Sequence, residues 1–141
     1  MAKVIFNDII PFSGFKACAI YPWVFVRNEF KERFTIIDSN HETIHSRQQL
    51  EMYIVGVILT FILFVCGLSW WSLFALPIFF VWYGMEWFLR WCVYGFDKSD
   101  AFHNVSFEQE AYGNESNLDY LRTRKRFSWC KYLFKKSYKS K

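Results

Sequence analysis

Two histidines four residues apart bracket a glutamate in His41-Glu42-Thr43-Ile44-His45. On a helix, positions i and i+4 lie on one face, so both imidazoles point at one spot and suit two ligands of a tetrahedral zinc site. Glu42 follows His41 by one residue, about 100° further around the helix. It would stand beside the metal without binding it, placed to accept a proton from a water activated there. Five residues make a short pattern, and a working centre also needs a third protein ligand, an open fourth position and a shielded cleft. A second use of Glu42 competes with the catalytic one. With Ser39 as N-cap, Glu42 falls at N3 and closes a capping box, whereas Asp38 or Asn40 as cap leaves it free.

The elements that must carry this motif follow from the hydropathy pattern. Asp38-Ser39-Asn40 reads as a helix start, and no breaker interrupts the chain through Ser46–Glu51. The helix then enters Met52–Leu68, which holds no charged residue and gives about 25 Å of helix, close to the hydrocarbon thickness of a bilayer. Ser69-Trp70-Trp71-Ser72 is a turn with interfacial tryptophans, and a second apolar run extends from Leu73 to Tyr94. The expectation is an α-helical integral membrane protein, a two-span hairpin with spans at about 50–68 and 73–94. All Lys and Arg except Arg90 flank the hairpin and none lies in its turn. The positive-inside rule therefore places both termini and the motif on the cytoplasmic side of an inner (cytoplasmic) membrane. Glu86 and Arg90, inside the second run, read as an interfacial i,i+4 pair in preference to a direct role at the metal.

Composition agrees. The 141 residues are one domain's worth of chain, 23% aromatic with 17 Phe, 8 Tyr and 7 Trp, and only 21% charged, with net charge +4. Residues 1–37 form a small β-rich segment, 38–95 the motif helix and hairpin, and 96–141 a further helix and basic tail. Lys3–Ile10 reads as a strand or surface-lying segment, Pro11-Phe12-Ser13-Gly14 as a turn, Phe15–Tyr21 and Trp23–Arg27 as a hairpin around Pro22, and Arg33–Ile37 as a third strand. An edge of such a sheet beside the metal could hold an extended peptide, or the sheet could simply cover a core. Met1–Pro11 does not read as a secretory signal. Cys18, Cys66, Cys92 and Cys130 form no C-x-x-C pair, so they are expected to pack as small apolar groups. After the hairpin, Gly95–Phe102 reads as a loop, Ser106 caps a helix with Gln109 at N3, and Ser116–Asp119 starts another.

The later helix contains Phe107-Glu108-Gln109-Glu110-Ala111-Tyr112. The order H-E-x-x-H, two spans, then Glu108-x-x-Ala111 resembles the membrane-bound gluzincins related to HtpX-type and CAAX prenyl proteases, which carry E-x-x-A-D after their hairpin. His45-Ser46-Arg47-Gln48-Gln49 and Glu108-Gln109-Glu110-Ala111 are also similar to soluble zincin-like domains with H-E-x-x-H-x-x-Q-Q and a later E-x-E-A. The overall composition resembles small membrane proteins of Bacteroidetes and their phages. The resemblance, over roughly residues 38–115, implies a zincin-like helix pair at the cytoplasmic face, one zinc ion held by His41, His45 and Glu108, and Glu42 as general base. Glu110 is the alternative ligand. Tyr112 replaces the family's aspartate, which supports a ligand histidine from behind; Glu115, Gln48 or Gln49 could take that part. His103, Tyr112 and Tyr83 are candidate oxyanion donors.

The function so implied is zinc-dependent peptide hydrolysis at the cytoplasmic membrane face. The expected partners are lipid and a peptide or membrane-protein substrate, with an oligomer completing the cleft as one option. The alternative is a non-catalytic membrane scaffold in which the His/Glu cluster is a structural metal site or a polar helix interface. The basic tail, Arg122–Lys141, is read as lying on anionic lipid with Phe127, Trp129, Tyr132 and Phe134 dipping in, ahead of nucleic-acid binding or a solvated face. A real centre would bring the ligand atoms of His41, His45 and Glu108 to about 3–4 Å from one another.

Overall fold

In the computed structural model, which describes residues 2–12 and 14–135, a small sheet and a mostly helical body share one long helix. Strands β1 (Lys3–Asn7), β2 (Ala17–Ile20) and β3 (Trp23–Arg27) are short and rich in Val, Ile and aromatics, residues that suit a half-buried pleated surface. β2 and β3 form the expected antiparallel hairpin across Tyr21-Pro22. The third strand is β1, parallel to β3, giving the order β1-β3-β2 with β2 on an edge. Ala19, Val24 and Val26 face inward against Phe30 and Phe34. Ser13, in the expected Pro11–Gly14 turn, lies outside the described residues; Phe15 N–H bonds back to the Phe12 carbonyl across it at 3.2 Å.

Arg33–Ile37 is not a strand. A 3₁₀ turn covers Asn28–Arg33, and helix α1 (Ile36–Leu63) begins directly after it. The cap is Thr35, a turn upstream of the expected Asp38–Asn40 start. Thr35 Oγ1 accepts from Asp38 N–H at 3.2 Å, and Asp38 Oδ2 accepts from Thr35 N–H at 2.7 Å. This Thr-x-x-Asp box outcompetes Ser39 because both of its arms close, and Lys16 adds an ion pair to Asp38 at 2.7 Å. The Asp38 carboxyl accordingly titrates below its ordinary range: burial acts against this, but the bonds from Lys16 and Thr35 prevail.

α1 is unbroken for 28 residues, about 42 Å. Beyond it the chain tightens through Phe64–Leu68, turns at Gly67 (φ 89°), and returns along α1 as a 3₁₀ stretch, Ser69–Ala75. The two limbs touch closely. A Cβ on Gly56 would lie 2.6 Å from the Ala75 carbonyl oxygen, and Thr60 Oγ1 donates to the Ser72 carbonyl at 3.1 Å. The helical run Ile36–Ala75 is long and apolar enough to cross a membrane, and only 11% of its most apolar window is buried, unlike the core helix of a soluble protein. The run expected at 73–94 is not one helix: Pro77, which cannot donate within a helix interior, separates Ser69–Ala75 from α2 (Ile78–Val93).

Gly95–Phe102 is not a plain loop. Asp97 caps a short helix, α3 (Lys98–His103), by accepting from Ser99 and Asp100 N–H at 2.8 and 2.9 Å. Helix α4 (Ser106–Asn114) follows, then α5 (Tyr120–Thr123) and a 3₁₀ turn at Ser128–Tyr132. Ser106 does not cap α4 through its own side chain; Glu86 of α2 does so, accepting from Ser106 N–H at 2.9 Å and Oγ–H at 2.6 Å while paired to Arg90 at 2.7 Å. A carboxylate at a helix start is favoured by the free N–H groups and the dipole there. Gln109 instead donates to the Asn104 carbonyl at 2.9 Å.

Met52, Phe79, Val105, Phe107 and Trp129 form the core that presses α4 against α1 and α2. Trp129 is therefore not a lipid contact. It is buried against Phe107 and Trp82, with ring centroids at 4.6 and 5.9 Å, whereas Phe134 is 95% exposed. Residues 136–141 of the basic tail lie outside the described residues. All four cysteines are free, but they do not pack in the core as expected: Cys66, Cys92 and Cys130 are exposed, and Cys18 is half-buried.

Candidate metal centre

The early start of α1 places His41, Glu42 and His45 beyond its first turn. Glu42 is therefore not at N3 and takes no part in the cap. His41 and His45 share the face that α4 covers, and the core behind Phe107 fixes the depth of α4. Glu108 then reaches both histidines. His41 Nε2 and His45 Nε2 are 3.0 Å apart, Glu108 Oε1 is 3.3 Å from His45 Nε2, and Glu108 Oε2 is 3.5 Å from His41 Nε2. Nitrogen and oxygen ligands at zinc bond lengths occupy tetrahedron corners about 3.3–3.4 Å apart. The triad thus meets the expected spacing without movement, with side chains 12%, 10% and 6% exposed.

The outer nitrogens decide what the inner ones offer. His41 Nδ1 lies 2.8 Å from Glu115 Oε2, an acceptor, so Nδ1 carries the proton. His45 Nδ1 lies 2.8 Å from Gln48 Oε1, and the Gln48 amide is oriented because its nitrogen donates to the Phe107 carbonyl and Glu110 Oε2. Both rings therefore direct Nε2 lone pairs at one point. Tyr83 Oη donates to Glu108 Oε1 at 3.0 Å, while Glu108 Oε2 is buried with no hydrogen-bond donor among the described residues. Two imidazole nitrogens and an undonated carboxylate oxygen, buried together, fit a zinc ion.

The same convergence attracts a proton. Burial lowers the His45 pKa, but the Glu108 carboxylate, by charge and hydrogen bond, outweighs this and lifts it to about 9. Burial pushes the Glu108 carboxyl up, and the two histidines reverse this and hold it well below the usual carboxylate range. Glu42 goes the other way. Burial raises its pKa, and the neighbouring histidines and a hydrogen bond from the Ala19 backbone only partly offset that. One carboxylate is tuned to stay charged at the ligand position, the other to take a proton beside it.

The remaining candidates separate by position. Glu115 and Gln48 take the two supporting places that Tyr112 cannot fill, one on each histidine. Tyr112 instead packs its ring on His41 at 4.6 Å, and His103 lies tilted against Tyr112 at 5.2 Å while bonded through Nδ1 to the Ser99 carbonyl. Tyr83 is engaged with the ligand carboxylate. Gln49 supports no ligand: its amide bonds to the Ala19 carbonyl (2.7 Å) on β2 and to Tyr21 N–H (2.8 Å) in the turn after it. Glu110 faces away from the triad toward Tyr120 and Arg124. The motif alone gave no sign of Ala19 at Glu42, nor of Glu86 as the anchor of α4. The only hint of the latter was a charge standing inside an apolar run.

Comparison with protein-family models, with curated proteins and with solved structures finds no match for this chain, so the chemistry rests on the geometry above.

Proposed function

We propose that this chain is a zinc-dependent peptidase anchored in a membrane by a two-span hairpin, with the metal centre and both flanks on the cytoplasmic side. The observation that carries the reading is the convergence of His41 Nε2, His45 Nε2 and Glu108 at 3.0–3.5 Å, with both outer histidine nitrogens committed to acceptors. The two-span topology is supported by the return of Ser69–Ala75 along α1 and by the outward-facing Trp70, Trp71, Phe80, Met85 and Leu89.

Zinc bound there supplies Lewis acidity toward a peptide carbonyl and makes water a better nucleophile near neutral pH. The protein does the rest. His41, His45 and Glu108 hold the ion; Glu115, Gln48 and Tyr83 hold those three in place. Glu42, beside the ligands but not among them, takes a proton from water and returns it to the departing amine, a role suited to a carboxyl whose pKa burial has raised. β2 offers a place for substrate. Lys16 pairs with Arg27, so by antiparallel alternation Ala17 and Ala19 direct their backbone groups away from β3. Gln49 covers that edge from Ala19 to Tyr21, leaving the Ala17 end for an extended peptide.

The near-burial of the three ligands favours one other reading, a scaffold with a structural metal site. Glu42→Gln separates them. In purified full-length protein assayed on an unstructured peptide or membrane-protein substrate, hydrolysis by the wild type and its loss in the variant, with zinc retained, is the expected result. Undiminished hydrolysis in Glu42→Gln removes this residue as the base, and no hydrolysis by either protein leaves the scaffold.

A further inference from the structure

Behind His45 lies a set of buried polar groups that the chemistry above does not use. Glu110 of α4 is completely buried, yet it ligates nothing in the triad. Its Oε1 accepts from Tyr120 Oη and from Arg124 Nε, both at 2.7 Å. Its Oε2 accepts from Arg124 Nη2 at 3.1 Å and from Gln48 Nε2 at 2.8 Å. Arg124 turns its other side to Glu51 of α1, through Nη1 to Oε1 and through Nη2 to Oε2 at 3.1 Å. One guanidinium, its side chain 5% exposed, thus joins the helix of the histidines to the helix of Glu108.

The direction of these bonds reaches the metal ligands. A glutamine amide can turn either end toward a histidine. With its oxygen toward His45 Nδ1, the ring proton sits on Nδ1 and Nε2 is a free lone pair. With its nitrogen there, Nδ1 must be the acceptor, and a neutral ring carries its proton on Nε2, where it blocks a metal. The other end of the amide makes the choice, and it meets two acceptors, the Phe107 carbonyl at 3.1 Å and, more closely, Glu110 Oε2 at 2.8 Å. Arg124 donates to both oxygens of Glu110, fixing that carboxylate as an acceptor aimed at Gln48. Only the NH₂ end of Gln48 can meet it.

We propose that Arg124 is a positioning residue for the metal centre, acting through Glu110 and Gln48 to present His45 Nε2 to the ion. This rests on the metal reading above and extends it to a side chain from the basic C-terminal segment.

The test is a double-mutant cycle on full-length protein in lipid nanodiscs, with Arg124→Met, Gln48→Leu and the double variant, reading zinc affinity against a competing chelator. Each single variant should bind zinc about 10–100-fold more weakly. The double variant should be no weaker than Gln48→Leu alone. A merely structural arginine would add its loss to that of Gln48, so additive losses overturn the proposal. Proton NMR above pH 9, where the metal-free His45 ring is neutral and holds a single proton, gives a second readout that needs no metal. The wild type should show a slowly exchanging His45 Nδ1–H resonance that Arg124→Met loses, and its retention there also overturns the proposal. If Arg124→Met does not fold, Arg124→Lys, which keeps the charge but not the two-sided fork, carries the same cycle. A wild type that binds no zinc sinks the metal reading, and the Nδ1–H resonance then decides the relay alone.

Discussion

The two halves of α1 have opposite surfaces. Up to Glu51 the helix buries polar side chains, among them Asn40, Thr43, His45, Gln48 and Gln49. From Tyr53 on it exposes Ile54, Ile58, Phe61 and Ile62. A helix of a soluble protein does the reverse on both counts. The polar half is tolerable because its buried groups are partnered: Asn40 Nδ2 donates to the Glu115 and Asn117 carbonyls at 2.8 and 3.1 Å, and Thr43 Oγ1 to the Ser39 carbonyl at 2.6 Å. The apolar half is tolerable where lipid replaces water. One helix thus carries a dense polar site at a fixed height from an apolar shaft, and each half suits a different solvent.

This contrast can be broken from either end. The largest effect belongs to the polar half: Glu42→Gln should lower peptide turnover about 10²–10⁴-fold without changing zinc content, as read by a rate assay beside metal analysis. Glu115→Gln weakens the partner on His41 Nδ1 and should weaken zinc binding about tenfold, measured by chelator competition.

Acidity acts on the same nitrogens. Without metal, His45 is raised from 6.5 to about 9, so its pairing with Glu108 stabilises the fold fully below about pH 6.5 and is lost as pH rises through 9. Zinc competes with that proton, so its apparent affinity should rise toward pH 9 and fall by about tenfold per unit below it. A flat profile from pH 6 to 9 would break the link between the ring and the ion.

The shaft responds to packing, not chemistry. Gly56→Leu drives a side chain into the Ala75 carbonyl, and thermal unfolding should show a loss of about 1–3 kcal/mol with zinc affinity preserved. Phe61→Leu, on the exposed apolar face, should change stability by less than about 0.5 kcal/mol.

The legibility of the chain follows the same division. The body of α1 is legible because local signals and long-range packing agree there: no breaker, a charge-free stretch, two histidines at one turn's spacing. Glu108 is singled out in the sequence only by the resemblance, and the fold brings it to the two histidines; Glu115 and Gln48, two of the three residues offered in place of the aspartate that Tyr112 displaces, lie against the outer histidine nitrogens. The start of α1 differs from the expected one because Arg33–Ile37 alternates like a strand, which masks the Thr35-x-x-Asp38 box that begins within it. Lys3–Ile10 reads only as a strand or surface-lying segment, since the parallel partner of β1 is the far strand of the hairpin and leaves no local turn signal. Arg124 reads as part of a solvent- or lipid-facing basic cluster, yet its carboxylates are Glu51 and Glu110, the former 73 positions away. Charge counting along a chain does not reveal pairings across a fold.

The central claim is that His41, His45 and Glu108 bind one metal. Metal content of purified, full-length wild type measured beside Glu108→Ala tests it most directly. The expected result is about one zinc per wild-type chain and almost none in the variant. Equal zinc in both proteins, or none in the wild type after reconstitution with excess zinc, would contradict it.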